Sequence, residues 1–142
     1  MSTTKITLER LNDKMHFQCA NEDGNTIQTD GSEAIGGEGK GVRPMQLLLM
    51  ATASCSSIDI VMILNKMRVA FDDLKVEVEA ESEMMDTYSR WKTIHLKFII
   101  IGKDISVKKA EKAAKMSIEK YCSVSKALEH SSEISWEVEI RE

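Results

Sequence analysis

The feature that most constrains the fold is a predicted helix over residues 55–68, whose side chains are apolar on almost every face. A surface helix carries one apolar stripe, whereas a helix that is apolar all round must be buried. Residues 44–53 also have a helical pattern, with Pro44 in the first turn, and residues 55–68 either continue this helix or form a second one. Lys66 and Arg68 suit its carboxyl end, because cations interact favourably with the helix dipole there.

Alternation of apolar and polar side chains predicts six strands around this helical segment. They cover residues 4–11, 14–20, 26–29, 74–81, 93–100 and 134–140. The long strands are apolar on one face only, which is typical of an antiparallel sheet covered on one side. Ser106 is placed to cap another helix that runs to about Tyr121, followed by a short helix or turn. The stripe of this helix that we expect to be buried contains Val107, Ala110, Ala114, Ile118 and Tyr121. The order βββ–αα–ββ–α–β predicts an α+β fold with residues 1–142 as a single domain.

A sheet that is covered on one side cannot enclose a helix that is apolar all round. A homodimer that buries the helix across the subunit interface would supply the missing cover. We therefore expect a homodimer from the pattern of the chain alone.

The composition excludes several classes of partner. The formal net charge is −4 and the lysines are spread along the chain, which argues against a nucleic-acid surface. The longest apolar runs, such as residues 58–64, fall short of the roughly 20 residues of a membrane span. The N-terminus lacks the apolar core of a signal peptide. We expect a cytoplasmic protein that binds neither nucleic acid nor a membrane.

The three cysteines are Cys19, Cys55 and Cys122. An odd number at wide spacing disfavours a disulfide framework, and the lack of a CxxC or Cys/His cluster predicts no metal site. Cys19 shares a strand face with Met15 and Phe17, so we expect it to be a small core residue.

Cys55 and Cys122 are both followed by small polar residues. A buried and inert thiol is the default interpretation of each, since cysteine is among the most often buried residue types. The alternative is that small neighbours leave room for a reactant, and that the two thiols, 67 positions apart, form a redox pair.

Asp59 follows Cys55 by four residues and therefore lies on the same helical face. A carboxylate beside a thiol disfavours ionisation of that thiol. Asp59 is therefore expected either to pair with a cation, Arg43 or Lys66 of either subunit, or to oppose thiolate formation.

Two motifs resemble the OsmC/Ohr family. Residues 41–68 follow the pattern G-x-x-P-M-x-L-L-L-x-A-x-x-S-C-x-x-I-D-I-V-x-I-L-x-K-x-R, and residues 119–124 read E-K-Y-C-S-V. The residues I-D-I-V and K-Y-C-S-V within these motifs resemble the OsmC-like (YhfA-like) branch of that family. The resemblance implies an intertwined homodimer in which curved antiparallel sheets pack around two central helices.

The resemblance also implies an activity, that of a cysteine-based peroxidase that reduces organic hydroperoxides, as part of the response to oxidative stress. Cys55 then corresponds to the peroxidatic thiol and Cys122 to the resolving thiol. Cys122 at the end of a helix suits the resolving role, because the negative end of the dipole disfavours its thiolate. No bound cofactor is implied, and an external dithiol, in the family often a lipoyl group, restores both thiols.

The chain departs from the family at one position. Family members hold an activating arginine with a glutamate directly after the motif proline, where this chain has Met45 and then Gln46. Arg43 is a candidate cation, or else a solvated residue of the first turn. Arg43, Asp59 and Gln46 are therefore the candidate supporting residues.

The missing carboxylate keeps a second function open, an OsmC-like dimer that binds a small apolar or thiol-reactive ligand with little or no peroxidase turnover. Methionines could line an apolar pocket for such a ligand or a hydroperoxide tail, or they could be ordinary core residues. They are Met45, Met50, Met62 and Met67. The glycine-rich residues 31–41 lack phosphate-loop spacing, and we expect a flexible loop that could lie over a site.

Overall fold

Residues 1–142 are described by a computed structural model that confirms the predicted α+β class. The strands are β1 (Thr7–Arg10), β2 (Phe17–Ala20), β3 (Thr26–Thr29), β4 (Asp73–Met84), β5 (Ser89–Ile101) and β6 (Glu133–Arg141). The helices are α1 (Pro44–Lys66), α2 (Val107–Met116) and α3 (Ser123–Leu128). A 3₁₀ turn covers Glu33–Ile35 and a π-helical turn covers Ser117–Tyr121. The chain divides into two units, Met1–Leu48 and Leu49–Glu142.

The N-terminal unit contains an antiparallel sheet in the order β1–β2–β3. Leu8, Cys19 and Ile27 are paired across it and share one face. Leu8 is 58% exposed and Ile27 is 50% exposed, while Cys19 is half-buried. The prediction that Cys19 is a core residue is therefore wrong for a single chain, because its strand neighbours lie open to solvent.

The glycine-rich segment is organised around a buried carboxylate rather than being a plain flexible loop. Asp30 is 2% exposed; one of its oxygens accepts a hydrogen bond from the amide of Gly31 at 2.7 Å. The other accepts from the amides of Glu38 at 3.3 Å and Lys40 at 3.0 Å. The amide of Lys40 above all, with those of Gly31 and Glu38, holds the pKa of Asp30 below its ordinary value. A side chain at position 37 would stand 2.1 Å from the Gly31 carbonyl oxygen, so the closed loop requires Gly37.

The C-terminal unit contains a second sheet in the order β4–β5–β6. β4 and β5 pair antiparallel, as predicted, whereas β6 pairs parallel to β5. A parallel neighbour requires a crossover connection, which here contains α2 and α3. β4 and β5 form a hairpin that extends beyond the predicted strands 74–81 and 93–100, since β4 ends at Met84 and β5 begins at Ser89.

The core of this unit lies between α1, α2 and the apolar face of the second sheet. Its fully buried members include Ile60, Leu96 and Phe98. Each such side chain contributes roughly 1.5–3 kcal/mol relative to leaving it in water.

The two predicted helical segments form a single helix, α1, of 23 residues. Its buried side chains recur about every four residues and face the core. They are Thr52, Ser56, Ile60, Ile63 and Leu64. The opposite stripe is also apolar but lies open, with Met50 49%, Ile58 60% and Met62 53% exposed. One chain therefore covers only one side of α1.

As one helix, α1 is long and apolar enough to cross a membrane by length and composition, and the prediction that no segment reaches that length is wrong. Between residues 47 and 64 the polar residues of α1 are small hydroxyl side chains and one carboxylate, so they interrupt apolar runs in the sequence without ending the helix. The core helix of a soluble protein meets the same criterion of length and composition.

Ser106 caps α2 as predicted, since its hydroxyl oxygen accepts a hydrogen bond from the amide of Lys109 at 3.2 Å. The α-helix ends at Met116, however, and continues as the π turn. The wider π turn shifts the residues that follow it around the helix axis. Tyr121, which the pattern placed on the buried stripe, is consequently 49% exposed.

We expect Asp30→Asn to loosen the glycine-rich loop, because an amide carries no charge to hold three backbone donors. Hydrogen exchange at Gly31, Glu38 and Lys40 should accelerate and the midpoint of thermal unfolding should fall. In the unsubstituted protein the lowered pKa stabilises the fold above the ordinary aspartate range. This contribution should be lost as the pH falls below about 4, through the pKa of the folded state. Asp23→Asn, in the exposed β2–β3 turn, is the matched control. Equal exchange in both variants would contradict a clamping role for Asp30.

Candidate functional site

Three side chains with metal-binding or nucleophilic chemistry converge beside α1. Cys55 and Asp59 lie one turn apart on this helix, and Cys122 lies where the π turn meets α3. The two sulfurs and a carboxylate oxygen of Asp59 all lie within 4.8 Å of one another. We call this group the dithiol–carboxylate cluster. The fold thus brings together two cysteines 67 positions apart, both present as free thiols.

Cys122 is fully buried, and it ends one helical segment while capping the next. Its sulfur accepts hydrogen bonds from the amide of Ser125 at 3.4 Å and from the Ser125 hydroxyl at 3.2 Å. Burial raises the pKa of the Cys122 thiol and a hydrogen bond with Cys55 adds to this, while the Ser125 donors act in the opposite direction. The net effect is a rise, so Cys122 is protonated at neutral pH.

Asp59 is held by a hydroxyl group from the π turn. The Ser117 hydroxyl oxygen lies 3.1 Å from a carboxylate oxygen of Asp59 and 3.1 Å from the backbone oxygen of Ser56, and these two acceptors share its single proton. Neither Arg43 nor Lys66 of the same chain forms a salt bridge with Asp59. Within one chain a neutral hydroxyl therefore takes the place of the expected cation.

The remaining sequence candidates lie at the start of α1. The backbone amide of Arg43 donates to the side-chain oxygen of Gln46 at 3.1 Å, one half of a capping box. The Arg43 guanidinium donates to the backbone oxygen of Gly41 at 3.3 Å. The hydrogen bonds of Arg43 and Gln46 thus stabilise the start of α1.

Two site residues, Ser117 and Ser125, were not among the sequence candidates. Ser125 follows Cys122 by three residues, the spacing of a helix cap, and this signal was available in the sequence. Ser117 had no such signal, because it meets Asp59 across 58 positions of the chain.

A cavity of about 440 Å³ adjoins the cluster at Asp59. Two of the predicted pocket methionines, Met62 and Met67, line it together with Met116. Lys66 and Lys112 also line it, so the cavity combines adaptable apolar walls with two ammonium groups.

The fold and the site together describe an α+β protein with two free thiols close to each other beside a long apolar helix. The chain belongs to the OsmC-like family, because the family model for an OsmC-like protein matches residues 37–137. It is also 37% identical to protein YhfA of Escherichia coli K12 over 118 residues, which are 82% of this chain and 84% of YhfA.

Solved structures show the same fold. A hypothetical protein from Aquifex aeolicus is 33% identical, with a TM-score of 0.81 and full coverage of both chains. The organic hydroperoxide resistance protein OsmC of Legionella pneumophila is 18% identical, with a TM-score of 0.74 and 97% coverage of both chains.

The burial difference between the two thiols predicts their order of alkylation. With iodoacetamide at about pH 8, Cys55 should react at least roughly tenfold faster than Cys122, because a buried and protonated thiol is a poor nucleophile. Peptide mass spectrometry with time resolves each cysteine. The control is the same reaction in urea, where the rates should converge. Equal rates in the folded protein would show that burial does not protect Cys122.

Proposed function

We propose that the protein is a thiol-dependent peroxidase that reduces organic hydroperoxides with Cys55 and Cys122 as its redox pair. The observation that carries this proposal is the approach of the two sulfurs to within 4.8 Å. It is supported by membership of a family in which the Legionella relative is named an organic hydroperoxide resistance protein.

In the proposed reaction the Cys55 thiolate attacks the distal oxygen of the hydroperoxide and the O–O bond breaks. The alkoxide leaves, takes up a proton and becomes an alcohol, while Cys55 becomes a sulfenic acid. The Cys122 thiolate then attacks the Cys55 sulfur and displaces hydroxide, which is protonated to water, and a disulfide forms. An external dithiol, such as a lipoyl group, reduces this disulfide by exchange and is itself oxidised.

The two sulfurs differ in a way that supports these roles. Cys55 is half-buried, whereas Cys122 is fully buried with a raised pKa, so Cys55 is the better placed to attack. Cys122 must lose its proton before it can attack the sulfenic acid. Asp59 lies within 4.8 Å of its sulfur and is the carboxylate we propose as proton acceptor.

The cavity beside Asp59 is the proposed site for the organic part of the substrate. Its methionines suit an apolar group of variable shape, and its volume of about 440 Å³ lies within the range of small-molecule sites. Lys66 and Lys112 would favour substrates that also carry an anionic group.

We further propose that the protein acts as a cytoplasmic homodimer, with neither nucleic acid nor a membrane as its partner. The exposed stripe of α1 borders a groove of about 530 Å³, which Ile58, Val61 and Phe71 line. A second copy of α1 placed on this stripe would cover the apolar surface that one chain leaves open.

A second candidate function is the binding of a small apolar or thiol-reactive ligand without efficient turnover. It is favoured by the absence of a salt bridge to Asp59 and by Met45 at the position of the family carboxylate. Catalytic consumption of peroxide in the presence of excess dithiol separates the two functions, since a binding protein reacts at most once.

The peroxidase proposal predicts that reduced protein treated with cumene hydroperoxide loses two thiols per chain and forms a Cys55–Cys122 disulfide. Cys55→Ser should abolish peroxide reduction, because the attacking sulfur is gone. Cys122→Ser should still react once and accumulate a sulfenic acid, which dimedone traps and mass spectrometry detects.

Cys19→Ser is the matched control and should retain the activity of the unsubstituted protein. Unchanged thiols in the unsubstituted protein at modest peroxide excess would refute the peroxidase proposal. Loss of reactivity in Cys19→Ser alone would refute the assignment of roles.

The dimer proposal predicts that Ile58→Glu produces monomers, because the substitution buries a carboxylate at the centre of the apolar stripe. A penalty of several kcal/mol corresponds to an increase of roughly a thousandfold in the dimer dissociation constant. Light scattering coupled to gel filtration measures the mass. Val107→Glu, on a residue of α2 that is 52% exposed, is the control and should remain dimeric. A monomeric unsubstituted protein, or partition of it into lipid vesicles, would overturn the proposal.

A further inference from the structure

The dithiol–carboxylate cluster has the composition of a metal site as well as that of a redox site. Thiolate sulfur is a preferred ligand of Zn²⁺ and related thiophilic cations, and carboxylate oxygen is also accepted. We propose that Cys55, Asp59 and Cys122 together bind a thiophilic divalent cation of the Zn²⁺ class.

The ligand spacing supports this inference. The three ligand atoms lie within 4.8 Å of one another. Two sulfurs that share one zinc lie less than about 4.6 Å apart, since each Zn–S bond is about 2.3 Å long. Small side-chain rotations therefore suffice to bring all three atoms to one cation. Cys55 and Asp59 are separated by one helical turn, a spacing that helices also use to present two ligands to zinc.

The charges of the cluster also favour a bound cation. Two thiols and a carboxylate become three negative ligands when the thiols ionise, and no lysine, arginine or histidine forms a salt bridge with Asp59. Three anions at such short range repel one another strongly in a half-buried site. A divalent cation removes this repulsion, because each ligand then faces the metal charge.

The surrounding hydrogen bonds would orient the ligands. The Ser117 hydroxyl donates to Asp59, and the amide and hydroxyl of Ser125 donate to the sulfur of Cys122. Metal sites commonly carry such outer donors, which hold the ligands in place. Three protein ligands leave a fourth position for water or another ligand, and one of the three, Asp59, also lines the adjoining cavity.

The metal site does not rest on the peroxidase proposal, but it has a consequence for that reaction. Cys55 and Cys122 each release a proton when their sulfurs bind the cation. The bound cation lowers the nucleophilicity of both sulfurs, so the metal-bound form attacks a peroxide more slowly, and the disulfide form lacks the thiolates that the cation requires. The site would therefore accept either a thiophilic cation or an oxidant.

The test uses Co²⁺ as a spectroscopic probe in the fully reduced, full-length protein under anaerobic conditions. A thiolate-to-cobalt charge-transfer band should appear at one equivalent, with the visible bands of a tetrahedral centre, and Zn²⁺ should displace it. Asp59→Asn and Cys122→Ser should each weaken cobalt binding at least roughly tenfold, since each removes a ligand. Cys19→Ser and Asp72→Asn, at residues outside the cluster, should bind cobalt normally.

Thermal unfolding measured with and without Zn²⁺ gives a second readout that does not depend on activity. Zn²⁺ should raise the midpoint of the unsubstituted protein and of both control variants, but not that of Cys122→Ser. Absence of a charge-transfer band in the reduced protein would overturn the metal site, as would a band that survives in both cluster variants. Neither result bears on the peroxidase proposal, which is tested by thiol loss in the presence of a chelator.

Discussion

The structure of the C-terminal unit depends on the packing of a single apolar helix, α1. One stripe of this helix, which includes Ile60 and Leu64, enters the core formed with the second sheet and α2. Burial of each such residue contributes roughly 1.5–3 kcal/mol, and the stripe therefore determines how the helix is rotated about its axis. That rotation also determines the direction of Cys55 and Asp59, which lie on the flank of the same helix. The rotation of α1 about its axis consequently determines both the packing of the core and the geometry of the site.

The positions of Cys122 and Ser117 in the site depend on an irregularity in the backbone. The π turn after α2 brings the Ser117 hydroxyl to Asp59 and to the backbone of α1, and it delivers Cys122 to the start of α3. π-helical turns are rare and frequently occur at functional sites. Here the turn exposes Tyr121 and buries Cys122, so a continuous α-helix in its place would move the second thiol out of the cluster.

The electrostatics of the cluster connect the proposed reactions. Burial above all, together with the neighbouring Cys55, raises the pKa of the Cys122 thiol and so disfavours its thiolate. A peroxidase therefore needs either a cation supplied by a partner subunit or proton transfer through Asp59. A thiophilic cation meets the same need by binding the sulfurs directly. Redox chemistry and metal binding would thus be alternative ways to relieve one unfavourable arrangement of charges.

Much of the architecture was predictable from local pattern. Period-two alternation located all six strands, and the capping role of Ser106 followed from its position before an amphipathic segment. The sequence left open whether residues 44–53 and 55–68 form one helix or two, because small polar residues interrupt the apolar pattern without ending the helix. The expected burial of Tyr121 was wrong, because sequence periodicity cannot detect a helix that changes its pitch. The buried role of Asp30 was also missed, since its three backbone donors become available only when the loop closes.

The sequence by itself determined the element types, the family resemblance and the identity of the two thiols, because these depend on side-chain chemistry and on contacts within a few residues. Only the tertiary structure decided that Cys55, Asp59 and Cys122 share one site, that Ser117 rather than Arg43 bonds to Asp59, and that half of α1 remains uncovered by its own chain. The physical reason is that these features are set by contacts between residues about 60 positions apart, which form only when helix and sheet pack together.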